Sequence, residues 1–256
     1  MGITLVTGAS SGIGRSLARR LAAHGDLVVL VARRAELLDT LVMEIRRHGG
    51  QALAAPGDVT DRRAVADIVM QVEAEHGPIT RLVANAGGGS RCDGSQFDAE
   101  HFQTTVALNL VGVANAVAAV LPGMVARRGG HLVAMGSLAG VRGLPGAAAY
   151  SAAKGGVANL MDSLRIDLRD HDIDVTLLLP GFVRTQPPKA GRRRFRPFRM
   201  ELEQATARME NAIIARKRRL AFPWPLVVAI GMTRLLPFGV DGWLLGRFRA
   251  RKAPAT

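Results

Sequence analysis

The sequence predicts an α/β fold, a doubly wound parallel sheet with helices on both faces. Short apolar runs alternate with longer segments of helical period, the pattern of successive β-α-β units. The runs are nearly continuous rather than alternating, as strands covered on both faces require. A glycine-rich turn, "TGASSGIG" at residues 7–14, joins the first run to the first helical segment.

In order, the strands are expected at 3–7 ("ITLVT"), 27–32 ("LVVLVA"), 51–55, 81–84, 131–136 and 173–179. Helices are expected between them at about 13–24, 34–48, 61–76, 101–127 and 151–170, each carrying apolar residues at three- and four-residue spacing. Beyond Pro180 the pattern gives way to "QPPKAGRRRFRPFRM", where prolines and an arginine run argue for a loop. A helix over 201–216 and a brief strand over 219–222 complete the sheet. The expected division is one α/β domain over 1–222, with a loop at about 186–200, and a basic amphipathic extension over 223–256 made of two short helices split at Pro237.

At 256 residues, with 48% apolar residues and 29 glycines, the chain is long enough for one large, well-buried domain. Cys92 is the single cysteine, so no intramolecular disulfide forms, and the six histidines lack ligand spacing; no metal is expected. No basic segment leads into an apolar signal core, so the expectation is a cytoplasmic protein that is not secreted. Val6 stands where a myristoylation signal wants Ser or Thr. The uncharged stretch 220–233 falls short of the ~20 apolar residues that cross a bilayer, and no transmembrane span is expected.

Charge is distributed unevenly. Residues 1–180 hold 17 basic and 17 acidic side chains, whereas residues 181–256 hold 17 and 4, so the whole excess of +13 lies in the last part of the sequence. Such asymmetry suggests an anionic partner there, or a solvated basic surface.

Within the glycine-rich turn, Gly8, Gly12 and Gly14 would let the backbone approach a pyrophosphate, and the following helix would point its positive end at the anion. The spacing G-x-x-x-G-x-G differs from the commoner G-x-G-x-x-G, so more is needed. It comes from "VARRAELLD", where Arg33 and Arg34 replace the acidic residue that would hold the ribose of NAD. Guanidinium groups suit a 2′-phosphate, which predicts NADP(H), with Arg33 the better placed and Arg15 a helper.

Tyr150 is the sole tyrosine, and Lys154 is one of four lysines among 34 basic residues. Their i, i+4 spacing sets both on one helical face. An ammonium ~4–6 Å from a phenol, at an effective dielectric of ~20, favours the phenolate by roughly 3–4 kcal/mol before desolvation, so the expectation is a lowered Tyr150 pKa suited to acid/base work. Ser137 follows the apolar run "HLVAMG" and belongs at the carboxyl end of a strand, where its hydroxyl could donate to a substrate carbonyl.

Together, "TGASSGIG", "GDV" at 57–59, "NAG" at 85–87, Asn109 in "ALNLVG", Ser137, "YSAAK" and "LPGFVRT" at 179–185 resemble the short-chain dehydrogenase/reductase family in its compact single-domain branch, with a Rossmann-type fold, over about residues 3–185. The resemblance implies that Ser10, Ser11 and Ile13 join the glycines around the cofactor. It further implies that Asp58 bonds the adenine with Val59 along the ring, that Asn85 and Gly87 line the cleft, and that Thr185, after Pro180, Gly181 and Val183, contacts the carboxamide. Asn109 would hold a water linking Lys154 to solvent, Ser137 would position the carbonyl, Tyr150 would transfer the proton, and Lys154 would lower the phenol pKa and bind the nicotinamide ribose. The implied partner is a small carbonyl or alcohol substrate, in a homodimer or homotetramer; a catalytically silent NADPH-binding scaffold or sensor is the alternative.

Three readings of the tail stand. The basic residues at 190–256, with Trp224 and Trp243, could rest peripherally on the anionic inner surface of a membrane and admit an apolar, lipid-like substrate. The same helices could instead cover the core or a subunit interface, with the arginines solvated. Binding nucleic acid is disfavoured, because no recognition fold accompanies the Arg/Phe run.

Overall fold

A computed structural model describes residues 2–89, 94–185 and 197–233. Its strands are β1 (Ile3–Thr7), β2 (Leu27–Ala32), β3 (Gln51–Pro56), β4 (Ile79–Ala84), β5 (Gly130–Met135), β6 (Ile173–Pro180), β7 (Val183–Arg184), β8 (Met200–Glu201) and β9 (Arg219–Phe222). Seven form one parallel sheet in the order β3-β2-β1-β4-β5-β6-β9. The doubly wound expectation holds, including the closing strand at 219–222. Strand order reverses between β1 and β4, and a crevice for a ligand opens at such a switch point.

The helices are α1 (Gly12–Ala23), α2 (Ala35–Arg47), α3 (Arg62–His76), α4 (Ala99–Val106), α5 (Gly112–Ala126), α6 (Ala148–Asp167), α7 (Leu202–Ile214) and α8 (Trp224–Thr233). On one face of the sheet Val29, Leu82, Leu132 and Leu177 pack against Val69 of α3, Val117 of α5 and Val157 of α6. On the other, Val6, Leu30, Val83 and Leu178 meet Leu17 of α1, Leu41 of α2 and Met209 of α7. Two-sided burial explains why strands such as "LVVLVA" carry no polar alternation.

The expected helix over 101–127 is three pieces. A π turn, Ala107–Val111, interrupts it between α4 and α5. The apolar spacing runs through that break unchanged, so periodicity could not reveal it. The run Ala99–Ala126 is also apolar and long enough to cross a membrane by composition, a property that sequence reading missed. In the fold, Val113, Ala116, Val117, Val120 and Met124 of α5 are buried in the core.

A row of polar side chains crosses the amino ends of the strands. Asp26 pairs with Arg81 at 2.5 Å and accepts the Thr4 hydroxyl at 2.6 Å. The Arg81 Nε lies 3.4 Å from His131 Nδ1, and His131 Nε2 lies 2.8 Å from the Thr176 hydroxyl, which donates to the Lys217 carbonyl at 2.7 Å. Because Arg81 can only donate and Thr176 spends its proton on Lys217, His131 must be neutral with its hydrogen on Nε2. Burial first, then the nearby Arg81 and Arg216 charges, pull its pKa down to about 3.

The unfolded chain takes up this proton below about pH 6.5 and the folded chain does not, so stability is complete above that pH and drains away as pH falls toward 3. Urea unfolding should show a loss of about 2–3 kcal/mol between pH 7 and pH 4.5 from this residue alone. In His131→Gln, which can keep both hydrogen bonds without titrating, that part of the slope should vanish.

Candidate active site

The turn between β1 and α1 is held open by its neighbours. Gly8 has φ +69°, a left-handed conformation costly for a side chain, and a Cβ there would lie 2.7 Å from Ala86 Cα. A Cβ on Gly14 would lie 2.3 Å from the Gly8 carbonyl oxygen. Asn85, at the end of β4, fastens this turn by donating from Nδ2 to the Thr7 carbonyl at 3.0 Å. Asp61 and Asp98 cap α3 and α4 with their carboxylates, but Ser11 leaves the first N–H groups of α1 without a side-chain cap. An uncapped, glycine-lined helix start fits the pyrophosphate of a dinucleotide. Ser10 and Ile13 lie in the same turn and first helical turn, and Thr185 sits over it, with its side chain 3.4 Å from where a Gly12 Cβ would be.

At the carboxyl end of β2 the two arginines part. Arg34 donates from Nη2 to Ser10 Oγ at 2.8 Å and Ser11 Oγ at 3.3 Å, so it leans onto the turn. Arg33, with a side chain 75% exposed, reaches toward Asp58, whose Oδ2 is 3.7 Å from its Nη1. Arg15 is tied to Glu44 at 2.5 Å. Asp58 accepts the backbone N–H and the hydroxyl of Thr60, which hold its pKa below the usual carboxylate range, with Arg33 adding to the effect.

Val59 is buried, and its carbonyl accepts Asn115 Nδ2 at 2.9 Å. Sequence reading missed Asn115. A lone amide in the apolar segment "GVANAVAAV" was the available signal, since a buried carboxamide requires partners.

Ser137 lies just past β5, with its hydroxyl oxygen accepting the Ala139 N–H at 3.1 Å. Tyr150 stands on the first turn of α6, near enough for the Ser137 hydroxyl to act on its pKa. One turn on, fully buried Lys154 has Nζ 5.8 Å from the centre of the Tyr150 ring and donates to the Met135 carbonyl at 2.7 Å. Asn109 is completely buried in the π turn. Its Nδ2 donates to the Gly88 carbonyl at 2.8 Å and to Thr105 O at 3.0 Å, while Oδ1 accepts the Gly88 N–H at 3.1 Å. A π turn displaces the regular i−4 backbone bond, and the Asn109 amide fills the Thr105 carbonyl in its place. Its carboxamide therefore braces the loop after β4.

The phenol pKa departs from expectation. Burial pushes Tyr150 above its ordinary value, the Ser137 hydroxyl opposing the rise, and burial pulls Lys154 down to about 8. The i, i+4 spacing brought the two together as predicted, but desolvation of both outweighs their attraction, and the ammonium is directed at a carbonyl.

Two glycines after β4 make room for this pair. A Cβ on Gly87 would lie 2.6 Å from Asn109 Oδ1 and 3.3 Å from Lys154 Nζ; on Gly89 it would lie 2.9 Å from Cδ2 of Tyr150. Gly89→Ala should therefore displace the Tyr150 ring and lower turnover about 10–100-fold, since a misplacement of ~1 Å at reacting groups costs on that scale. An unchanged turnover would show that the ring is free to give way.

Pro180 ends β6, and the Gly181 N–H that comes next donates to the Phe222 carbonyl at 2.8 Å. Beyond Phe182, Val183–Arg184 pair with Met200–Glu201. Most of the predicted loop, 186–196, lies outside the described residues.

A family model described as short chain dehydrogenase matches residues 2–194. The chain belongs to the short-chain dehydrogenase/reductase family. A Myxococcus xanthus uncharacterized oxidoreductase is 40% identical to this family member over 233 residues, 91% of this chain and 92% of its own. A fatty acyl-CoA reductase of Acinetobacter baylyi is 33% identical over 222 residues, 86% of this chain and 75% of its own. A 3-ketoacyl-ACP reductase structure from Sinorhizobium meliloti superposes with a TM-score of 0.76 at 27% identity, covering 86% and 94%. The chain is thus a compact oxidoreductase of a family that binds a nicotinamide cofactor, acting on a small molecule.

Proposed function

We propose that this short-chain dehydrogenase/reductase uses NADP(H) to interconvert a carbonyl and an alcohol on an apolar, lipid-like substrate, as a homo-oligomer. The observation that carries the reading is the convergence of Ser137, just past the carboxyl end of β5, with Tyr150 and buried Lys154 on one face of α6, beside the strand-order switch. The nicotinamide supplies or accepts the hydride.

This chain's residues manage the proton. A phenol whose pKa is raised stays protonated at neutral pH and is an acid ready to give its hydrogen to the carbonyl oxygen. The resulting phenolate is stabilised by the Ser137 hydroxyl and by the Lys154 cation beneath the ring. Asn109 and Gly87 keep that cation and the loop after β4 in register.

Arg33 and Arg34 support the choice of NADP(H), because both stand at the end of β2 where a 2′-phosphate would lie. The fatty acyl-CoA reductase and 3-ketoacyl-ACP reductase likenesses, and apolar α8 beside Gly181, support a lipid-like carbonyl. The deciding experiment presents long-chain and short-chain aldehydes and ketones with NADPH or NADH while nicotinamide absorbance is followed. Oxidation of NADPH with long-chain carbonyls is expected; equal use of NADH, or turnover confined to small polar carbonyls, would overturn the respective part.

A further inference from the structure

Helix α8 breaks the rule that a surface helix turns polar residues outward. Leu226, Val227 and Ile230 pack against the core. On the opposite side Trp224, Val228 and Met232 are 74%, 51% and 60% exposed, with Ala229 and Gly231 exposed between them. At 100° per residue the i, i+4, i+8 set forms one continuous stripe, and no charged residue occurs anywhere in the helix. Such a contiguous apolar face marks an interaction surface.

The sequence after this helix supplies charge. Residues 234–256 carry Arg234, Arg247, Arg249, Arg251 and Lys252 against the single acid Asp241, among Leu235, Leu236, Phe238, Trp243 and Phe248. Apolar insertion beside a cationic flank is complementary to one partner above others, an anionic lipid surface.

The stripe is also tied to the site's mouth. The Gly181 N–H donates to Phe222 just ahead of α8, and a Cβ on Gly181 would lie 2.7 Å from Leu226 Cδ2. We infer that α8 lies in the interface of an anionic bilayer, with Trp224, Val228 and Met232 inserted, so that the β6 end of the candidate active site faces the lipid. This extends the reading of an apolar substrate, but its test needs no turnover, so each can fail alone.

In the full chain carrying Trp243→Phe, Trp224 is the sole tryptophan. Vesicles of phosphatidylglycerol should shift its emission to the blue, brominated acyl chains should quench it, and phosphatidylcholine vesicles should leave it unchanged. Co-sedimentation of the parent chain with phosphatidylglycerol vesicles should weaken about tenfold in Trp224→Ser and similarly in Met232→Ser, with salt weakening all of them. Thermal melting establishes that the variants fold. A Trp224 signal indifferent to phosphatidylglycerol overturns the inference. So does emission already blue and shielded from acrylamide without lipid, the result if residues 234–256 cover the stripe, or a shift driven by protein concentration alone, the result if a second copy does.

Discussion

Tyr150→Phe should lower turnover about 10²–10⁴-fold while NADPH affinity stays close to that of the parent. The substitution deletes one oxygen and leaves the ring that packs over Gly89, so a comparable loss of cofactor binding would point to collapse of the site instead. The pH profile adds a sign. Lys154 is pulled down to about 8 by burial, so in the reducing direction activity should be level near pH 7 and fall as pH rises past 8, where the cation under the phenolate is lost. Lys154→Arg, which does not titrate in this range, should lack that alkaline limb whatever its residual rate. Undiminished activity in Tyr150→Phe toward every accepted compound would sink the proposed chemistry.

Cofactor choice yields the second large effect. Arg34→Gln should weaken NADPH binding about 10–100-fold, the worth of a charge-assisted hydrogen bond to phosphate, with NADH nearly unaffected. Arg33→Gln should act in the same sense, and its exposed side chain makes a smaller change the expected one. Fluorescence titration with both nucleotides separates the outcomes. Because Arg34 also holds Ser10 and Ser11, equal loss for NADPH and NADH would mean that the glycine-rich turn had deformed, and the 2′-phosphate assignment would fail.

Much of this architecture was legible in residue order because burial on two faces leaves a plain mark. "ITLVT" and "LVVLVA" read as strands, and β1 and β2 occupy those residues. The sequence positions that meet at the site were legible too, since Ser137, Tyr150 and Lys154 sit at a strand end and on one helical face. Depth was not. The spacing of Tyr150 and Lys154 says that they are neighbours but not how little water reaches them, and desolvation reverses the expected direction of the phenol shift. Direction was also hidden at "RR", where only the folded chain distinguishes an arginine bent onto Ser10 from one extended toward Asp58. The two-residue ladder of β7 and β8 is too short to leave a periodic signal.

The π turn at Ala107–Val111 gives the rod one extra residue, taken up as a bulge. One residue more than a regular helix needs is accommodated there, so shortening 107–111 by a single position would rewind it to a regular helix and remove the bulge that turns Asn109 onto Gly88. Gly88 would then lose its two-sided clasp, although no atom beside the phenol had been altered. Length in this segment is thus under a stricter constraint than identity, and a deletion should be tolerated far less well than most exchanges of side chain.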